Sequence, residues 1–323
     1  MKALLYDKDG SGESLEIREI EKPAPKKNEV LVGVHAVSIK DWDWGLVQNK
    51  GITRMIWGLS RSKKIIGSDI AGRVVCVGDE VKRFQLGDAV FGDLSHLGVG
   101  FGGFAEYVCA PENALARKPE CMTFEQAAAI PEAGTLAYQG LLARGPLKPG
   151  QMVLINGAGG GVGTLAIQIA KVHDVEVTGV DLAGKLDLMS SIGYDHVIDC
   201  QKEDFTKRGE RYDFILDTKT NRSPFDYARA LNPGGTYATV GGTSRALQVV
   251  LLGPWVGRLS KKNFFVVKLK PNQGLPYLCE LFEAGKLVPV IDGPYRFTEV
   301  REAFRRYGAA EHKGKVVVTI TQH

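Results

Sequence analysis

The chain has 323 residues, 44% of them hydrophobic and 24% charged, which is long enough to bury two cores. Lys plus Arg number 41 and Asp plus Glu 37, a net charge of +4 with the signs interspersed, so there is no basic stripe and no case for nucleic acid as a partner. No apolar run approaches the ~20 residues of a membrane span, and the longest, Leu247 to Val256, is broken by Gly253 and Pro254.

The start, Met1 to Asp7, meets an acid too early for a secretory leader, and a cytoplasmic location is expected. The five cysteines, Cys76, Cys109, Cys121, Cys200 and Cys279, are odd in number with no CxxC pair. That argues against a disulfide framework and a four-cysteine zinc site.

Along the first part of the chain, short β segments alternate with turns. Val30 to Val37, Ile70 to Val77 and Asp88 to Phe91 read as strands, and Gly98 to Gly103 as a glycine-dense loop. Such a series predicts a small, partly open barrel. Near Thr123 the pattern changes. Thr123 is an N-cap for a helix over Phe124 to Ile130, and Pro131 follows. Strands are then predicted at Val153 to Asn156, Val175 to Val180, His196 to Asp199, Phe214 to Asp217 and Thr236 to Val240. Helical patterns at Thr164 to Val172 and Leu186 to Ile192 lie between them. The alternation predicts a parallel, doubly wound sheet. Two amphipathic helices, Pro276 to Ala284 and Val300 to Arg306, precede a last strand, Lys315 to Ile320, expected to return to the first domain.

The central motif is the strand Val153 to Asn156 running into Gly157-Ala158-Gly159-Gly160-Gly161-Val162-Gly163 and then into a helix. Glycines permit the tight turn and remove the Cβ atoms that keep a backbone from a diphosphate. Free N–H groups and the positive dipole end of the helix hold the anion. Asp181, eighteen residues after Gly163, ends the next apolar strand, where a carboxylate accepts bonds from the adenosine ribose hydroxyls. It repels a 2′-phosphate, which favours NAD(H) over NADP(H), although the Lys185 ammonium can reach a phosphate. The same pattern also fits a methyltransferase that binds S-adenosylmethionine.

Further segments narrow the choice. They are Gly67-Ser68-Asp69-Ile70-Ala71-Gly72, Phe84 to Val90, Gly103-Phe104-Ala105-Glu106-Tyr107, Ala133-Gly134 with Ala137-Tyr138, Gly160-Gly161-Val162-Gly163, and Gly193 with Asp195 to Asp199. Over nearly its whole length the chain resembles the medium-chain dehydrogenase/reductase superfamily, in its zinc-free quinone oxidoreductase-like branch. The resemblance implies an α/β protein with a GroES-like β-barrel domain over residues 1–122, completed by 271–323, and a Rossmann dinucleotide-binding domain over 123–270. It implies a zinc-independent reductase of quinones or α,β-unsaturated carbonyls. The alternatives are a metal-free alcohol or aldehyde dehydrogenase-like reductase and a non-catalytic nucleotide-binding or structural protein, with the methyltransferase remote.

The catalytic zinc ligands of metal-dependent members align with Lys40, Ser68 and Glu132, so no zinc is expected. Lys40, balanced by Asp69 or Glu132, is the candidate to polarise a carbonyl and donate a proton in the metal's place; the other reading is a structural ion pair of Lys40 with Asp43 or Glu132. Asp43 and His96 are the other catalytic candidates. Strand ends at Asp217-Thr218 and Val240-Gly241-Gly242, with Phe265, are implied cofactor contacts. The segment Phe264 to Val267 is a candidate for sheet extension across a two-fold axis, giving a homodimer.

Overall fold

The structure, a computed structural model, describes residues 1–6, 15–48, 64–95, 102–242 and 245–320. The chain opens with β1 (Lys2–Tyr6), β2 (Leu15–Glu19), β3 (Glu29–Ser38), helix α1 (Asp41–Gln48), β4 (Lys64–Ile65), β5 (Asp69–Val77), β6 (Ala89–Asp93), β7 (Tyr107–Pro111), β8 (Ala116–Arg117) and α2 (Phe124–Ala128). There follow α3 (Pro131–Leu142), β9 (Met152–Asn156), α4 (Gly161–Lys171), β10 (Glu176–Asp181), α5 (Leu186–Ser191), β11 (His196–Asp199), β12 (Tyr212–Asp217), α6 (Pro224–Arg229), β13 (Leu231–Thr239), α7 (Arg245–Ser260) and β14 (Asn263–Val266). The last elements are α8 (Leu275–Glu283), β15 (Ile291–Arg296), α9 (Val300–Gly308) and β16 (Lys315–Thr319).

Two compact units result. The first is Met1–Glu132 with Pro271–Leu275 and Ile291–His323. Its main sheet runs β15-β16-β3-β5-β6-β8, with β7 also on β3, and a smaller sheet runs β2-β1-β4. Val30, Val32, Val34 and Val37 of β3 and Val316 and Val318 of β16 fill its core with Phe104, Phe297 and Phe304. These β-branched residues suit strands buried on both faces: β16 is buried at four successive positions and β3 at runs of three.

The second unit is Ala133–Lys270 with Pro276–Val290. Its six strands are all parallel, in the order β11-β10-β9-β12-β13-β14. Chain direction across the sheet reverses between β9 and β12. In doubly wound sheets that switch point is where ligands bind, outside the carboxyl ends of the strands.

Three expectations are corrected. The helix foreseen over Phe124 to Ile130 stops at Ala128, and Pro131 opens a second helix instead of closing the first. Proline suits a first helical position, where its missing N–H has no intrahelical partner to lose. Thr123 is the cap foreseen: it accepts from Gln126 N at 3.2 Å while Gln126 Oε1 accepts from Thr123 N at 2.9 Å. Because α2 packs on β3 and β5, the first unit extends to Glu132, beyond the expected boundary at 122. Residues 276–290, expected in the returning segment, lie with the second unit, where Gln168 Nε2 donates to Val288 O at 3.0 Å. Besides these three, Gly253 and Pro254, which interrupt the apolar run from Leu247, do not interrupt the helix that carries it. They lie inside α7, where Pro254 and Val250, the residue whose carbonyl loses its helical donor to the proline, are both exposed.

Candidate functional site

The turn after β9 has the geometry its glycines predict. Gly157 adopts φ +87°, and a Cβ there would stand 2.1 Å from Thr218 Oγ1. A Cβ on Gly163 would lie 2.4 Å from Ala158 O and 2.5 Å from Gly157 O, so α4 sits directly against the turn. At Gly160, the N-cap, a Cβ would meet only Gly157 O at 3.5 Å. No side chain caps α4. Its first-turn amides, on Gly161, Val162 and Gly163, have no acceptor within the helix and can bind an anion. The Tyr194 hydroxyl, which sequence reasoning missed, is buried and donates to Gly163 O at 2.9 Å, fixing the helix start from behind.

Asp181 lies at the end of β10 as expected, but its carboxylate is directed at the turn. Oδ2 accepts from Gly159 N at 2.9 Å and Oδ1 from Leu182 N at 2.8 Å. Lys185 pairs with it at 3.7 Å, both side chains buried, and its aliphatic stem occupies the space above Gly159. The carboxylate therefore shapes the glycine turn, and the ammonium partly neutralises it.

The other strand ends are tied together beneath the turn. Asp217, fully buried, accepts from Asn156 Nδ2 at 2.8 Å, from Lys219 N and Thr220 N at 2.9 Å, and from the Tyr237 hydroxyl at 2.7 Å. It is a knot between β9, β12 and β13, so its expected outward role gives way to an inward one. Thr218 abuts Gly157, with Oγ1 donating to Asn156 O at 3.0 Å. Val240 packs toward Gly140 of α3. Gly241 at φ +133° is open to space, whereas a Cβ on Gly242 would strike Lys219 O at 2.3 Å. Phe265 lies under the Arg144 guanidinium, 4.6 Å from its ring centroid. A cavity of about 340 Å³ lies at the opposite, amino-terminal ends of these strands, bordered by Arg144, Gln151, Asp213 and Thr236, away from the glycine turn.

The first unit holds a buried charge cluster. Sheet pairing sets Ser38 opposite both Val317 and Asp69, and Asp69 opposite Asp93. Lys40, just past β3, therefore meets three carboxylates: Asp93 at 3.2 Å, Glu132 at 3.5 Å and Asp69 at 3.9 Å. Lys315 reaches Asp69 at 3.2 Å. The expected partners Asp69 and Glu132 are present; Asp93 and Lys315 are additions. Asp43 is fully buried but turns away from the ammonium, with Oδ2 accepting from Lys40 N at 3.1 Å and Oδ1 from Gly67 N at 3.0 Å. It anchors the start of α1. The buried Ser68 hydroxyl and Asp69 Oδ1 have no hydrogen-bond partner among the described residues.

Burial pulls the Lys40 pKa down, but the carboxylates of Glu132, Asp69 and Asp93 outweigh it and hold the ammonium far above its ordinary range. Burial pushes Asp43 up to about 6 and Glu132 up to about 7, the latter against the pull of Lys40. Asp93 stays below its ordinary value because Lys40 and Ser95 stabilise its charge. Glu132, 19% exposed at its side chain, is thus a proton-holding group poised near neutrality at the edge of the cluster.

The sign of its effect on stability follows. Folded Glu132 keeps a proton between its ordinary 4.5 and about 7, while the unfolded chain releases it, so this contribution is complete below 4.5 and lost as pH rises through 7. Relative to Glu132→Gln, the parent is expected to lose roughly 2–3 kcal/mol over that window. Urea unfolding of both proteins across the pH series checks this; a pH-independent difference would contradict it.

Other candidates are resolved simply. His96 lies outside the described residues, as does Trp57. His35 stacks on Phe124 at 4.1 Å and His312 on Tyr307 at 4.6 Å. His196 pairs with Glu176 at 2.7 Å. Trp44 covers Gly308, where a Cβ would be 2.2 Å from the indole. Among the described residues no cluster of His, Cys, Asp and Glu has the form of a metal site.

Comparison with known proteins is consistent with both units. Residues 26–120 match the alcohol dehydrogenase GroES-like domain, and 192–318 match a family described as zinc-binding dehydrogenase. The chain is 32% identical to a 2-methylene-furan-3-one reductase of Solanum lycopersicum, over 98% of this chain and 79% of that protein. It is 31% identical to a chloroplast envelope quinone oxidoreductase homolog of Arabidopsis thaliana, over 98% of each. The solved quinone oxidoreductase of Coxiella burnetii superposes with a TM-score of 0.90 at 26% identity, covering 99% of both chains. With the GroES-like sheet, the parallel sheet ordered around a glycine turn and these similarities together, the chain belongs to the medium-chain dehydrogenase/reductase superfamily, in its quinone oxidoreductase-like branch.

Proposed function

We propose that this chain is an NAD(P)H-dependent oxidoreductase that reduces quinones or α,β-unsaturated carbonyls by hydride transfer without a metal ion. The observation that carries the reading is the glycine turn at the switch point of the parallel sheet, with open space over Gly160 and free amides at the mouth of α4. The reductase and quinone oxidoreductase names of the relatives support the substrate class.

The residues fit a dinucleotide. Amides of Gly161, Val162 and Gly163 would hold its linked phosphates, with Gly160, whose own amide donates to Gly157 O, leaving room for them, Gly157 and Ala158 shaping the turn, and Thr218, Val240, Gly241, Gly242 and Phe265 offering contacts beyond it. The reduced nicotinamide, when bound, supplies hydride to an electrophilic carbon. The negative charge left on the substrate oxygen calls for a cation or a proton. Lys40 holds its proton too firmly to be the donor and contributes a fixed positive charge; Glu132 is the group able to give up a proton near neutral pH. A protonated ammonium offers no lone pair to a metal, which supports metal-free chemistry at the positions where zinc-dependent relatives carry ligands. We assign the edge of β14, which pairs with no further strand among the described residues, to a second copy of the chain, and we place the protein in a cytoplasmic setting.

NADH and NADPH oxidation with a panel of quinones and enones tests the reading. Turnover with at least one acceptor is expected. Binding of both dinucleotides without turnover would assign the chain a nucleotide-binding role, and no binding at all would end the proposal. Between cofactors, the Asp181 carboxylate favours NAD(H), tempered by Lys185. Asp181→Ala should shift the NADH to NADPH affinity ratio about tenfold toward NADPH, roughly 1.4 kcal/mol. Thermal-shift titration with each dinucleotide measures it; an unchanged ratio would show that Asp181 serves the turn alone.

A further inference from the structure

Helix α7 carries its apolar residues on the wrong side for a helix packed on a sheet. Its inner seam is narrow: Val249, Gly253, Val256 and Gly257 are buried, and Cβ atoms on the two glycines would lie 3.4 and 3.3 Å from Phe264 of β14. Its outer face is the hydrophobic one. Leu247, Leu251, Trp255 and Leu259 recur every four residues, which places them on one side of the helix, and they are 63%, 67%, 57% and 65% exposed. Phe225, 51% exposed, stands edge-on to Trp255 with centroids 6.3 Å apart and widens the stripe. Single exposed leucines are ordinary, but a contiguous stripe along four turns marks a surface that something covers.

Charge indicates what covers it. Positive and negative residues nearly balance over the whole chain, yet from Tyr227 to Cys279 there is no Asp or Glu, while three arginines and four lysines occur. Exposed Arg258 lies within the stripe, three residues past Trp255, and exposed Lys261 follows the helix. A second copy docked two-fold on this face would set these cations against themselves, and the acid that borders the stripe, Asp226 beside Phe225, is already paired with Arg229 at 2.8 Å. The helix has 16 residues, and no described helix is long and apolar enough to cross a membrane, so any lipid contact α7 makes runs along the surface and not through the bilayer.

We propose that α7 docks the protein on an anionic lipid surface, with Leu247, Leu251, Trp255 and Leu259 entering the acyl boundary and Arg258 and Lys261 meeting the headgroup phosphates. This docking does not rest on the catalytic reading. It places an enzyme of apolar acceptors, if that reading holds, beside the phase in which such acceptors dissolve.

Sedimentation of the full chain with phosphatidylcholine vesicles, with and without phosphatidylglycerol, tests the proposal. The protein should pellet with the anionic vesicles, release at high salt, and show a blue-shifted emission that Trp255→Phe removes. Leu251→Glu with Trp255→Glu should abolish pelleting without changing the thermal midpoint, and Arg258→Gln should weaken it about fivefold. Should the double variant lower the midpoint, Arg258→Gln and the Trp255→Phe emission difference decide alone. Failure of the parent to pellet, equal pelleting with neutral vesicles, or unaltered pelleting of the folded variants overturns the proposal. Loss of a dimer on gel filtration by the double variant, with vesicle binding intact, would also overturn it and assign the face to a second copy.

Discussion

Replacing Lys40 with Met is expected to destabilise the protein by about 3–5 kcal/mol, the usual cost of removing one partner from a buried ionic cluster. Asp69, Asp93 and Glu132 would then share the single cation Lys315. Their protons would bind more tightly, so the loss should be largest at alkaline pH and shrink as the medium is acidified. Removing a carboxylate as well should return part of the stability, and Lys40→Met/Asp93→Asn is the pair to compare, because Asp93 is the nearest partner at 3.2 Å. Urea midpoints at constant slope measure both. On the proposed function, kcat should also fall while dinucleotide affinity stays within about twofold, since the residues assigned to the cofactor lie on other elements. Wild-type stability and turnover in Lys40→Met would remove both the ionic and the catalytic role.

Gly163→Val is expected to abolish dinucleotide binding. The added Cβ alone would stand 2.4–2.5 Å from three backbone atoms of Gly157 and Ala158. Backbone cannot rotate aside as a side chain can, so α4 must move off the turn. Overpacking of this kind costs about 1–3 kcal/mol in stability. Gly160→Ala is the control: its Cβ would meet only Gly157 O at 3.5 Å, and the fold should tolerate it, while the methyl group would stand in the space proposed for phosphate. Thermal shift with and without NADH separates the two. Gly163→Val should lose both midpoint and ligand response; Gly160→Ala should keep the midpoint and lose the response. Full ligand response in Gly163→Val would sink the assignment of the turn.

The parallel sheet was legible because each strand is an apolar run bounded by turn residues, and His196 to Asp199 coincides with β11 residue for residue. The glycine turn was legible because its chemistry is local. The charge cluster was legible only in part. Lys40 and Glu132 stood out through aligned positions and Asp69 as a charge to balance Lys40, but Asp93 and Lys315 arrive through the pairing of β6 and β16 with their neighbours, which no spacing along the chain encodes. A usable signal did exist: both are charges at the ends of otherwise apolar strands, Ala-Val-Phe-Gly-Asp and Lys-Val-Val-Val-Thr. Helix α7 was missed because the run from Leu247 was weighed only as a membrane span, interrupted by Gly253 and Pro254. Gly253 and Gly257 are instead the small residues that let the helix approach Phe264. Asp181 and Asp217 were placed at the correct strand ends but assigned outward roles, since sequence position does not tell which amides a carboxylate faces.

The pairing of β16 with β3 also governs how the molecule is made. During synthesis, β3 emerges early and waits for a central neighbour that the ribosome delivers about 280 residues later. The parallel sheet, by contrast, draws its six strands from one continuous stretch and can close while translation proceeds. Until Lys315 emerges, Asp69 has only the more distant Lys40, which Asp93 and Glu132 also share, and the nascent barrel has an open strand edge. The order of birth therefore lets the contacts of the parallel sheet close first and makes the last strand the step that commits the barrel.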